Sequence, residues 1–384
     1  MIPYGRQNID QDDIDSVVEV LKSDFLTQGP AIAAFEKEIA TYCKAKHAIA
    51  VNSATAALHM AYRALGLGKG DIAWTTPNTF PATSNAALFC GASIDFVDID
   101  PATYNLCPNA LRAKLEAAKK NGTLPKIVIP VHFAGQSCDM EAISLLAKEY
   151  GFAIVEDASH CIGGDYKNNK IGSCEYSDAC VFSFHPVKIM TTGEGGAVTT
   201  NRDDLNQKFH LLRSHGITRD EGLFEKTNEG GWYYEQVDLA PNYRITDIQA
   251  ALGLTQLNKV DKFIARRREL ASRYNTLYED VPNIRPYQLP DSNSSWHLYV
   301  IQVPAKRRKQ IYDSLKEAGI GVNVHYIPVH THPYYETLGF KRGAFPNSET
   351  YYQSAITLPL YYDLTNEQIE YISKHVKMAL AVEL

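Results

Sequence analysis

From Ala48 to Thr200 the chain alternates short apolar runs with stretches whose apolar residues recur at helical spacing. AIAVN (Ala48 to Asn52), SIDFVDID, KIVIPVHF, AIVEDAS and ACVFSF have strand length and are bounded by polar or turn residues, so each predicts a buried strand. Between them, Ala54 to Leu65 and MEAISLLAKEYG predict helices. A Gly-rich turn ends the first, and Gly151 is placed to cap the second. Strand alternating with helix predicts a mostly parallel sheet with helices on both faces. Ligands of such sheets gather at the carboxyl ends of the strands, so candidate chemistry is sought there.

After about Asn242 the pattern changes. ITDIQAALGLTQLNKVDKFIARRRELASRYNTLY predicts a long helical region that carries the chain out of the large domain. HLYVIQV and a helix around Lys306 to Ala318 then predict a small α+β domain. The expected organisation is an N-terminal arm over residues 1–28, a large domain over 29–262 and a small C-terminal domain over 263–384. No internal repeat or low-complexity tract interrupts it.

Composition narrows the function classes. Of 384 residues, 45% are hydrophobic and 21% charged, the balance of a soluble globular protein. A net charge of −6 argues against a nucleic-acid or anionic-membrane surface, but leaves room for a local phosphate site. Seven cysteines without a C-x-x-C pair support neither a zinc finger nor a disulfide scaffold. Met1 to Asp10 hold no apolar core of signal-peptide length, and no stretch approaches the ~20 apolar residues of a membrane span. A reducing cytoplasm is the expected location.

Four motifs carry candidate chemistry. In EDASH (Glu156 to His160) an apolar run stops at two acids, which puts Asp157 at the end of a buried strand. A carboxylate there needs a positive partner. That partner is either a structural ion pair or helix cap, or the protonated ring nitrogen of a cofactor used as an electron sink. In ACVFSFHPVKIMTTGEGGAVTT, Lys188 lies between two apolar strand-like runs with no flanking charge before Glu194. Desolvation there would lower its pKa and make the amine nucleophilic, whereas other lysines of the chain read as solvated charges. In VNSATAAL a strand delivers Ser53 to a helix start. Ser53 caps that helix whatever binds, and the N–H groups of Ala54 and Thr55 could hold a phosphate. In TTPNTFPAT, Phe80 follows a strand end and is either core or a surface for a flat heteroaromatic ring.

Two glycine-rich segments are set aside. GLGKGD (Gly66 to Asp71) follows a helix and reads as its C-cap turn. GEGG (Gly193 to Gly196) lacks the lysine and hydroxyl residue of a P-loop and reads as close backbone packing. HYIPVHTHPYYE holds three histidines in eight positions, but their spacing fits neither a helix face nor a zinc loop, and no metal is expected.

Together these motifs resemble the DegT/DnrJ/EryC1/StrS family of sugar aminotransferases. The resemblance runs over essentially the whole chain, from LTQGPAIAAFEKEIA through NSATAAL, TTPNTFPAT, EDASHCIG, FSFHPVK and GEGGAVTT to NYRITDIQAALG. It implies an aspartate-aminotransferase-like α/β fold (PLP fold type I): a large domain with a mixed, mainly parallel sheet and a small α+β C-terminal domain. It also implies pyridoxal 5'-phosphate as cofactor and a homodimer with shared active sites. Carried over position by position, the cofactor-attaching lysine falls on Lys188 and the phosphate-binding serine on Ser183. The ring-nitrogen carboxylate falls on Asp157, and the phosphate-binding amides on Ala54 and Thr55. Phe80 takes the ring-stacking place, which is Trp or another aromatic elsewhere. His160 stands near the cofactor's 3-hydroxyl, where many relatives carry Gln. Asn242, in NYRITD, matches the asparagine that reaches the phosphate of the neighbouring subunit. Arg244 and His325 are candidates for holding substrate.

FHPVK followed by TTGEGG, together with LRSHG, looks most like the branch serving pseudaminic acid synthesis. That branch moves an amino group from L-glutamate to C4 of a UDP-linked 4-keto-6-deoxy-N-acetyl-hexose. Other readings remain. One is amination of a different nucleotide-linked keto-sugar, and another is a non-catalytic protein that keeps the cofactor. The family's dehydratases carry histidine at the place of Lys188. A dehydrogenase has little support, because no G-x-G-x-x-G follows a strand near the N-terminus.

Overall fold

The computed structural model describes residues 1–282 and 284–381, so the expected end of the small domain at residue 384 lies outside the described residues. The chain forms strands β1 (His47–Val51), β2 (Ile72–Thr75), β3 (Ser93–Phe96), β4 (Ile127–Val128), β5 (Ala153–Asp157), β6 (Ala179–Ser183) and β7 (Gly196–Thr200), and the five apolar runs are β1, β3, β4, β5 and β6. They form one sheet in the order β1-β7-β6-β5-β4-β2-β3. β2, β3, β4, β5 and β6 pair in parallel, while β7 runs antiparallel to both β6 and β1. This is the mixed, mainly parallel sheet of the expected fold. β6 and β7 are buried along their whole length, because helices cover both faces.

The helices begin and end where local chemistry directs. α1 (Gln11–Leu21) and α2 (Pro30–Cys43) precede the sheet, and α3 (Ala54–Ala64) starts on Ser53, whose Oγ accepts the Ala56 N–H at 3.1 Å. Gly66 turns the chain after α3 with φ +77°, as a C-cap glycine does. α4 (Ala82–Phe89), α5 (Pro108–Asn121) and α6 (Met140–Tyr150) alternate with the strands. Asp139 caps α6 and Gly151 ends it in the left-handed region. α7 (Asp203–Arg213) follows β7.

Two elements differ from the sequence expectation. KIVIPVHF yields only the two-residue β4, since Pro130 has no N–H to extend the ladder. The long helical region is two helices, α8 (Asp247–Leu257) and α9 (Val260–Leu277), separated at Asn258-Lys259. α9 links two cores. Val260, Phe263 and Ile264 belong to the core under the sheet, and Leu270, Ala271 and Tyr274 to the core of the C-terminal part. There β8 (Tyr299–Gln302) and β9 (Ala355–Leu358) pair antiparallel. They pack with α10 (Arg308–Glu317) and a C-terminal helix, Asn366–Ala381.

The chain termini and one late segment tie these parts together. Ile2 pairs with Ile320, and the Leu360 N–H donates to the Tyr4 carbonyl. α1 packs on α8, where buried Asp13 accepts from Thr255 Oγ1, Gln256 Nε2 and Lys259 Nζ. Val329 and Tyr335 return to the large sheet and bury there beside Phe96. No helix among the described residues is long and apolar enough to cross a membrane.

Candidate active site

A cavity of about 710 Å³ opens at the carboxyl ends of β5 and β6. Its wall includes Ala54, Thr55, Phe80, Asp157, His160, Ser183, Lys188 and His325, so eight of the ten sequence-derived candidates share one space. Asn242 and Arg244 do not line it. Asn242 is exposed, its side chain accepts the Arg244 N–H at 3.2 Å, and its carbonyl accepts from Asn52.

Asp157 is the last residue of β5 and is buried. Its Oδ2 accepts from Thr83 Oγ1 at 2.7 Å and its Oδ1 from the Ser159 N–H at 3.1 Å. These donors aim the carboxylate at the cavity and leave it lone pairs for a cationic partner. Lys188 follows the turn after β6. Its side chain is only partly exposed and borders the cavity. Burial pushes the amine down to about 8, and Asp157 opposes that shift. Among the described residues no carboxylate lies within ion-pair distance of the amine.

The anion cradle comes from register. In the antiparallel ladder Gly196 of β7 stands between Val51 of β1 and Ser183 of β6. A Cβ on Gly196 would lie 2.6 Å from the Ala54 nitrogen and 2.8 Å from the Phe182 oxygen, so only glycine lets the three segments close up. Ser183 is thereby brought beside the first turn of α3. The N–H groups of Ala54 and Thr55 there have no acceptor among the described residues, as expected of a helix start.

Phe80 is 62% exposed, unusual for a large apolar ring in this position, and it lies on the cavity wall with Tyr326 6.3 Å away. His160 Nδ1 accepts the Ala134 N–H at 3.3 Å, which leaves the ring hydrogen on Nε2, 3.0 Å from Tyr326 Oη. His297 packs on His160 with ring centroids 4.4 Å apart. Burial holds both imidazoles well below the usual histidine range. His325 is pushed down to about 3 by burial and the nearby Lys188, and its Nδ1 meets Thr357 Oγ1 at 2.8 Å. His330 instead meets Glu349, so the histidines of HYIPVHTHPYYE do not converge. Among the described residues no group of three or more His, Cys, Asp or Glu is set to hold a metal.

Sequence reading missed Tyr4, Thr83, Glu194, His297 and Asn323, all on the cavity wall, where Tyr326 of HYIPVHTHPYYE also stands. Thr83 lay within a motif already singled out, three residues after Phe80. Glu194 lay within GEGG, which was set aside, and Tyr4, His297 and Asn323 come from distant segments with no local signature.

The residues present fit pyridoxal phosphate. A desolvated amine, a buried carboxylate with free lone pairs, an exposed aromatic face and an amide cradle match a carbonyl, a pyridinium nitrogen, a flat ring and a phosphate.

Comparison with known proteins agrees. The model of the DegT/DnrJ/EryC1/StrS aminotransferase family matches residues 7–377. The spore coat polysaccharide biosynthesis protein SpsC of Bacillus subtilis (strain 168) is 42% identical over 385 residues, covering 98% of this chain and 96% of its own. The UDP-4-amino-4,6-dideoxy-N-acetyl-beta-L-altrosamine transaminase of Campylobacter jejuni subsp. jejuni serotype O:23/36 (strain 81-176) is 39% identical over 376 residues, covering 97% and 96%. Among solved structures, Helicobacter pylori PseC, an aminotransferase involved in the biosynthesis of pseudoaminic acid, superposes with a TM-score of 0.89. It is 33% identical and covers 99% of each chain. PLP and PMP forms of a sugar aminotransferase are also among the neighbours.

Proposed function

The chain belongs to the DegT/DnrJ/EryC1/StrS aminotransferase family, and from that premise we propose that it moves the amino group of L-glutamate to C4 of a UDP-linked 4-keto-6-deoxy-N-acetyl-hexose. The product would be UDP-4-amino-4,6-dideoxy-N-acetyl-beta-L-altrosamine, an intermediate for pseudaminic acid. It is a sugar aminotransferase that works with pyridoxal phosphate. The finer substrate is supported by the names of the Campylobacter and Helicobacter relatives and by the FHPVK…TTGEGG and LRSHG segments. A second reading, amination of a different nucleotide-linked keto-sugar, is favoured by the 42% identity to SpsC, whose name points to spore coat polysaccharide.

The observation that carries the proposal is one cavity that brings Lys188 and Asp157 together with Ser183 and the start of α3. When bound, pyridoxal phosphate supplies an electron sink for the pair released when the donor's α-C–H bond breaks. Lys188 is assigned to attach the cofactor, and its Nζ, once free, to take the α-proton and return it. Asp157, held in place by Thr83 and Ser159, would pair with the ring nitrogen. Ala54, Thr55 and Ser183 would hold the phosphate, Phe80 would cover the ring, and His160 would hold the 3-hydroxyl. Lys188 would move the corresponding protons in the second half-reaction, in which the amino group left by glutamate passes to the keto-sugar.

Asn242 and Arg244, outside their own cavity, are assigned to the site of a second copy, which makes the working unit a homodimer. Arg244 and His325 are the assigned contacts for substrate. The cytoplasm is the proposed location, supported by seven unpaired cysteines, five of them buried.

The test is incubation of purified protein with glutamate and a panel of UDP- and dTDP-linked 4-keto-6-deoxy sugars, with products read by NMR. The UDP-linked N-acetyl sugar should give the 4-amino product at the highest kcat/KM. Preference for a different sugar would favour the second reading, and no amine from any sugar would end both.

A further inference from the structure

Glu156 and Asp157 are successive residues of β5, so their side chains leave opposite faces of the sheet. Asp157 faces the cavity. Glu156 faces the core on the other side, where it is 4% exposed. A carboxylate in such a place is tolerated only when its oxygens are paired. Glu156 Oε2 lies 2.6 Å from Nε2 of fully buried His132, and its Oε1 accepts from Ser177 Oγ. His132 Nδ1 accepts the Cys138 N–H at 3.1 Å, which puts the ring hydrogen on Nε2 and directs it to Glu156.

The same histidine also holds the main chain of the next residue. Its N–H donates to the Asp157 carbonyl at 3.0 Å, and the Asp157 N–H donates to the Pro130 carbonyl at 2.9 Å. β4 has already ended at Val128, so this pairing carries the β4–β5 contact on to where Asp157 enters the cavity. From these contacts we propose that His132 and Glu156 are a positioning pair, clamping β5 from behind so that the Asp157 carboxylate stays aligned with the cofactor ring. The inference rests on the assignment of Asp157 to the ring nitrogen.

The test compares apoprotein of His132→Asn, His132→Gln, His132→Leu with Glu156→Met, and Asp157→Asn. The readouts are the Kd for pyridoxal phosphate, the maximal rate and KM of the glutamate half-reaction, and the thermal midpoint. His132→Asn keeps an acceptor for Cys138 but loses the donor to Glu156. It should weaken cofactor binding and slow the half-reaction by about tenfold each, with KM nearly unchanged. His132→Gln places an amide N–H where Nε2 stood and should restore most of both. The double variant strands no buried charge, so it should fold and still show both losses.

A folded double variant that binds and reacts like the natural chain would overturn the pair's role. So would equal behaviour of the Asn and Gln variants. If Asp157→Asn is impaired and the His132 variants are not, the pair alone is wrong. If Asp157→Asn is itself unimpaired, the assignment of Asp157 fails and the pair with it.

Discussion

Lys188 must shed a proton before its amine can attack a carbonyl or accept a proton from carbon. Desolvation favours its neutral form and brings the pKa to about 8. The neutral fraction therefore grows as pH rises through 8. Covalent capture of pyridoxal phosphate by the apoprotein should speed up by about tenfold from pH 7 to 9 and then level off. Stopped-flow absorbance checks this, and a rate still rising about sevenfold from pH 9 to 10 would mean an ordinary solvated lysine. Lys188→Ala should make no product. Phe80 tests a different kind of contribution. Its ring is mostly exposed without ligand, so Phe80→Ala should leave the melting temperature nearly unchanged. It should weaken cofactor binding by about 1 kcal/mol, roughly fivefold in Kd by titration.

At the scale of elements, the cradle depends on β7 passing close to the start of α3. Ser53→Ala removes the cap on the Ala56 N–H and should cost about 1 kcal/mol of stability. Gly196→Ala places a Cβ against the Ala54 nitrogen and the Phe182 carbonyl, so strand and helix must separate. It should destabilise by about 1–3 kcal/mol and weaken pyridoxal phosphate binding more than Ser53→Ala does. Calorimetry and cofactor titration of the two variants separate loss of the cap from loss of the cradle. α3 and α6 were legible in the sequence because their caps are local. Asp139, Gly151 and Ser53 act within a turn of their own positions. β4 and the α8–α9 break were not, because apolar periodicity does not register one proline's missing N–H or a two-residue change of backbone angle.

The whole molecule carries exposed apolar surface of the kind that marks association. Ile14, Val18 and Leu21 recur along one side of α1, and Trp232 and Leu239 are 72% and 79% exposed. With Asn242 outside its own cavity, a homodimer sharing sites makes a specific prediction. Lys188→Ala and Asn242→Ala proteins, each nearly inactive, should regain activity when mixed and allowed to exchange subunits. One site in each mixed dimer would then hold an intact Lys188 and receive an intact Asn242. No recovery, with exchange shown by mass spectrometry, would remove Asn242 from the partner's site.

Strand and helix alternation, the place of each motif at a strand end and a candidate amine and acid are written in local sequence. Apolar period and capping need only neighbours along the chain. The family resemblance reaches further, but still residue by residue. Which residues face the cavity, what aims Asp157 and why Ser183 lies beside Ala54 depend on contacts between segments tens to hundreds of residues apart. The roles of Thr83, His132, His297 and Tyr326 carry no local mark even where a motif contains the residue, since a side chain's partner across a sheet is set by register and packing.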